Sequence, residues 1–133
     1  MNKNEPLWRR SRNAVRGFLR AVAEERSLRT ELIASVGAVL LLLLLRAAPL
    51  WWALTTVLIA AILAAELLNT AIETLADRVS PELDPLIGRA KDFAAAAVLV
   101  LSVAALLVTV LLLWTQLGNV GRVARQGLRW QPR

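Results

Sequence analysis

Residues 51–78 read WWALTTVLIAAILAAELLNTAIETLADR. The opening half is apolar apart from Thr55 and Thr56, and then Glu66, Asn69, Glu73 and Asp77 follow at spacings of three, four and four. At about 100° per residue these four side chains fall on one face of a helix. The stretch therefore predicts a helix that turns one flank to lipid and the other to something hydrophilic. Acids at membrane depth cost several kcal/mol unless they are paired, hydrated or bound to a cation, so the stripe marks a site.

The rest of the chain agrees with a membrane setting. Of its 133 residues, 57% are hydrophobic, above the roughly 45–50% of an ordinary soluble domain. This composition predicts a small, all-α integral membrane protein. The chain contains no cysteine and no histidine, which removes thiol nucleophiles, histidine bases and the usual zinc or haem ligands. Any metal must be a hard cation held by oxygen. The net charge of +6 does not point to nucleic acid, because the basic residues flank hydrophobic runs and are not interleaved with aromatics on a soluble face. Anionic lipid headgroups are the expected counter-charge.

On the amino-terminal side, residues 7–23 read LWRRSRNAVRGFLRAVA. Leu7, Trp8, Ala14, Val15, Phe18, Leu19 and Val22 form an apolar stripe between arginines, the pattern of an amphipathic helix lying in the membrane interface. The segment lacks the compact apolar core and cleavage site of a secretory signal, and its expected fate is to remain attached. A first span is predicted from Leu32 to Leu45, with Pro49 as the turn and Trp51–Trp52 as an interfacial anchor. The second span runs to about Ala76. A connector with Pro81, Glu82, Asp84 and Pro85 follows, and a third helix opens near Arg89 and stays apolar through Trp114. The expected organisation is a cytoplasmic amino-terminal segment (1–31), a three-span catalytic domain (32–117) and a basic tail (118–133).

Eight basic residues precede position 32, one (Arg46) lies in the first turn, and three (Arg78, Arg89, Lys91) lie between the second and third spans. The positive-inside rule then places the amino terminus and the second connector in the cytoplasm. The acidic stripe lies at that cytoplasmic end. Arg122, Arg125, Arg129 and Arg133, with no acid among them, fit this arrangement poorly, since three spans send the tail outside.

The polar groups gathered at the cytoplasmic end are Glu25, Arg29 and Glu31, then Glu66, Asn69, Glu73 and Asp77, then Lys91 and Asp92. Carboxylates with an asparagine suit Mg²⁺ and its waters, lysine and arginine neutralise phosphate, and a spare carboxylate accepts a proton from an alcohol. That combination fits phosphoryl transfer from a magnesium nucleotide. No P-loop glycine motif or protein-kinase motif is present, so metal and side chains must hold the phosphates. Glu66 and Glu73 lie about 10 Å apart along the axis, which suits two separate roles. Each residue also has a plainer reading: structural pairing between helices for Glu66 and Glu73, a solvated helix start for Lys91–Asp92, an i,i+4 pair for Glu25 with Arg29, and solvated connector acids for Glu82 and Asp84.

The run Glu66-Leu-Leu-Asn69-Thr-Ala-Ile-Glu73-Thr-Leu-Ala-Asp77-Arg78, followed thirteen residues later by Lys91-Asp92, resembles the signature of the bacterial integral-membrane diacylglycerol kinases, which include undecaprenol kinases. The likeness spans residues 12–117. It implies a homotrimer of three-span subunits with sites between subunits, at the bacterial inner membrane, using ATP and Mg²⁺ to phosphorylate a lipid alcohol. Glu66 matches the family's catalytic base, and Glu25 and Glu73 match its metal-coordinating glutamates, which also contact the nucleotide. Asn69 and Asp77 match positions that support the site, Lys91 and Asp92 the nucleotide-binding pair, and Glu82 and Asp84 the connector beside the nucleotide. Arg29, Thr30 and Glu31 match the start of the lipid pocket, which Glu66 and Ala95 complete.

Three positions depart from the pattern. Asp84 stands where histidine is common, Ala94-Ala95 where Gly-Ser is frequent, and Thr30 where glutamine is often found. Diacylglycerol is the expected acceptor on the D-R ending and the G-R-A-K-D run, with undecaprenol the alternative. Outside the kinase class, a proton-coupled transporter would need one central acid, whereas several acids and a lysine are massed here at one interface. A non-enzymatic scaffold would tolerate alanine at Asn69 and Glu73.

Overall fold

The computed structural model describes residues 6–79 and 84–127, with side chains as far as Gly118. Its elements are α1 (Leu7–Glu24), α2 (Arg26–Leu44), α3 (Pro49–Val79) and α4 (Pro85–Gly127), with no strand among the described residues. Three of these, α2, α3 and α4 as far as Gly118, are long and apolar enough to cross a membrane. At 1.5 Å per residue, α3 is about 46 Å long and α4 about 64 Å, both longer than a hydrocarbon core of roughly 30 Å.

The helix ends show how local chemistry sets the turns. Glu25 is a single extended residue (φ −99°, ψ 125°) between α1 and α2; its N–H still bonds the Ala21 carbonyl, so the chain bends there without leaving that donor unpaired. At the far end of α2, Arg46 N–H reaches the Leu43 carbonyl and Ala47 N–H reaches that of Leu42, a Schellman closure with Arg46 left-handed at φ 48°. Gln116 of α4 donates to the Leu45 carbonyl at 3.4 Å and ties the third span to this turn. Asp84 begins α4: its carboxylate accepts from Leu86 N–H at 2.8 Å, and Pro85 stands at the first helical position, where its missing N–H costs nothing.

Two helices start earlier than the hydropathy boundaries predict. The charged residues 26–31 form the first turns of α2, because Arg, Leu and Glu are good helix formers whatever their polarity. α4 opens at Pro85, not near Arg89, and continues through Gly127, so the backbone of the tail is helical well past the apolar run.

α3 packs most extensively on α4 and less on α2, while α1 touches α2 and α3. The interior is small: among the described residues, Leu28, Leu42, Ile62, Ala76 and Leu112 are the buried apolar ones and Glu66 the buried charged one. Large apolar side chains such as Ile33, Leu44, Val57, Leu99, Leu106 and Trp114 are exposed along all three long helices. Such a surface is unsuited to water and requires lipid or further protein against it.

Candidate functional site

The polar stripe of α3 faces its neighbours, and the depth of its members varies in order. Glu66 is 6% exposed, Asn69 and Glu73 are partly exposed, and the Asp77 side chain is 71% exposed. The helix therefore carries its acids from an enclosed position to an open one over about 16 Å.

At the enclosed end, Ser27 Oγ in the first turn of α2 donates a 3.0 Å hydrogen bond to Glu66 Oε2. Leu28, next to Ser27, is fully buried and holds that turn in place. One turn further along α3, Asn69 Nδ2 donates to Glu73 Oε1 at 3.0 Å. The amide is thereby oriented with Oδ1 turned inward, and Oδ1 is a buried acceptor with no hydrogen-bond partner. At the open end, Lys91 Nζ of α4 donates to Asp77 Oδ1 at 2.9 Å, an ion pair that fixes the amine beside the stripe.

Other predicted site residues are arranged more loosely. Glu25 sits at the α1–α2 corner and makes no capping bond with its side chain; Arg29 Nε donates to its backbone carbonyl at 3.3 Å, so the i,i+4 contact does not use the carboxylate. Thr30 donates to the Arg26 carbonyl of its own helix. Asp84 is engaged as the α4 cap, and Asp92 and Ala95 are exposed on the first turns of that helix. Glu82 lies outside the described residues. Glu31 lines a cavity of about 270 Å³ between α2, α3 and α4, together with Ser35, Thr55, Ile62, Ser102 and Thr109. Its lining reaches from the stripe end of the bundle toward the α2–α3 turn and is mostly apolar, with hydroxyls spaced along it.

Two contacts were not foreseeable from the motif: Ser27 on Glu66, and Lys91 on Asp77. The only signal for the first was a serine two residues after Glu25. For the second it was an acid and a lysine on either side of a proline-containing connector.

The donors present fit a magnesium ion. All are hard oxygens, and the unpartnered Asn69 Oδ1 beside Glu73 is an acceptor that a cation or its bound water would satisfy. No three acidic side chains converge among the described residues. A cation here would take most of its ligands from phosphate and water, as Mg²⁺ at nucleotide sites usually does.

The matches to known proteins span the segment that carries these residues. The family model described as prokaryotic diacylglycerol kinase matches residues 12–113. A diacylglycerol kinase of Escherichia coli (strain K12) is 33% identical over 103 residues, covering 77% of this chain and 84% of that protein, and one of Shigella flexneri matches with the same figures. A diacylglycerol kinase of a Sinorhizobium species is 35% identical over 88 residues, 66% of this chain and 64% of that protein.

Proposed function

The chain belongs to the prokaryotic diacylglycerol kinase family and is a lipid kinase; from that premise we propose that it moves the γ-phosphoryl group of ATP directly onto the primary hydroxyl of diacylglycerol, making phosphatidic acid at the cytoplasmic face of the inner membrane. The observation that carries this reading is the enclosed Glu66 carboxylate, at the deep end of a polar face in an otherwise apolar helix. A base placed there meets an alcohol that is itself held at membrane depth.

In this reading Glu66 takes the hydroxyl proton as the lipid oxygen bonds to the γ-phosphorus and the bond to the departing ADP oxygen breaks. Glu25 and Glu73, with Asn69 orienting Glu73, would hold Mg²⁺, which when bound offsets the charge of the phosphates. Lys91, positioned by Asp77, supplies a fixed positive charge near the transferring group. Asp92, Glu82 and Asp84 flank the nucleotide, Asp84 only with what its capping role leaves free. Arg29, Thr30, Glu31 and Ala95 border the lipid, and the cavity beginning at Glu31 offers room for an acyl chain.

The remaining architecture belongs to the same proposal. α1 lies in the interface: its arginines 9, 10, 12, 16 and 20 share one side and Leu7, Val15, Phe18, Leu19 and Val22 the other, while Arg9 and Arg12 stack within 5.3 and 5.0 Å of the Trp8 ring centre. Three copies assemble through the exposed apolar faces and complete sites between them. The amino terminus is cytoplasmic.

Purified protein in vesicles, offered diacylglycerol or undecaprenol with MgATP, tests the proposal. Phosphatidic acid should form, and formation should stop when magnesium is chelated. Phosphorylation of undecaprenol alone would replace the acceptor, and transfer to neither lipid would overturn the reading.

A further inference from the structure

We propose that Ser27 is a positioning residue for Glu66: its hydroxyl clamps Oε2 and leaves Oε1 aimed at the acceptor alcohol. The inference rests on the reading of Glu66 as the base and adds a residue to it. Its first support is where the hydroxyl is spent. Thr30, Ser35, Thr74, Thr109 and Thr115 donate to backbone carbonyls of their own helices, the ordinary use of a helical hydroxyl. Ser27 instead crosses to another helix, 39 residues away in the chain, and donates to a carboxylate. It does so from the first turn of α2, where serine commonly bonds a free backbone group, yet α2 has no side-chain cap.

The second support is the condition of the carboxylate. Glutamate has three side-chain torsions, the last of them broad, so an enclosed but untethered carboxylate would spread over several orientations. The Ser27 bond selects one. Oε1 is neither hydrogen-bonded to a described residue nor among the buried unpartnered atoms, so it remains reachable. The clamp is itself rigid, because Leu28 is 0% exposed and the extended Glu25 just before it sets where α2 begins. Orientation of a reacting group is worth large factors in rate, and supporting hydrogen bonds supply it.

The test uses full-length protein in vesicles with diacylglycerol and MgATP. Ser27→Ala and Ser27→Val remove the donor, and Ser27→Thr keeps it with nearly the shape of valine. We expect kcat to fall about tenfold in Ser27→Ala and Ser27→Val, with KM for ATP within twofold, and Ser27→Thr to recover most of the loss. On a Glu66→Gln background, Ser27→Ala should change the residual rate by less than twofold, since the hydroxyl acts through the carboxylate. An unchanged kcat in a folded Ser27→Val protein, a loss confined to KM, or an equal loss on the Glu66→Gln background each overturns the proposal. If Ser27→Val does not fold, a Ser27→Thr enzyme no better than Ser27→Ala does the same. Near-normal turnover in Glu66→Gln alone would instead remove the base assignment, so the two failures are distinguishable.

Discussion

The two halves of α3 are made of the same backbone and serve different ends. From Pro49 to Ala65 its side chains are apolar or hydroxylated; Ile62 is buried against the neighbouring helices, and Leu54 and Val57 face outward. From Glu66 to Arg78, one face is polar and its members become steadily more open, from the enclosed Glu66 to the exposed Asp77. The first half fixes how deep the helix sits and what it packs on. The second grades its acids by exposure, with Glu66 enclosed among the helices and Asp77 open. A carboxylate moved the three turns from Glu66 to Asp77 would exchange one environment for the other.

Changes in the polar half should therefore cost activity far more than stability, and changes at the opposite end of the bundle the reverse. Glu73→Gln should lower lipid phosphorylation by about 100-fold or more and raise the magnesium concentration needed for half-maximal rate, with thermal unfolding in detergent little changed. An enzyme with a normal magnesium requirement would break the contrast at Glu73. The smaller effect lies at the α2–α3 turn. Arg46 is a non-glycine residue in the left-handed region, so Arg46→Gly should stabilise the protein by about 1 kcal/mol without altering kcat. Destabilisation would show that the arginine side chain contributes more than its backbone strain removes.

Much of this organisation was readable from residue spacing. The stripe of Glu66, Asn69, Glu73 and Asp77 followed from helical geometry, and the three long apolar helices from composition. The helix limits were less legible. Hydropathy changes at Leu32 and near Gly118, but backbone hydrogen bonding continues across both boundaries, so α2 begins at Arg26 and α4 runs to Gly127. Asp84 before Pro85 is a helix-start signal, yet two prolines in six residues read more readily as a connector. The ties from Ser27 to Glu66 and from Lys91 to Asp77 could not be read from spacing at all, because each depends on how one helix lies against another.

The most direct test of the central claim compares Glu66→Gln with Val57→Ala, an outward-facing change in the apolar half of the same helix. Both are assayed as initial rates in vesicles at saturating MgATP and diacylglycerol. Loss of a positioned general base should lower kcat by about 10²–10⁴-fold in Glu66→Gln, with helicity and ATP binding retained, while Val57→Ala stays within twofold of the parent. A well-folded Glu66→Gln protein that turns over at close to the parent rate would contradict the account.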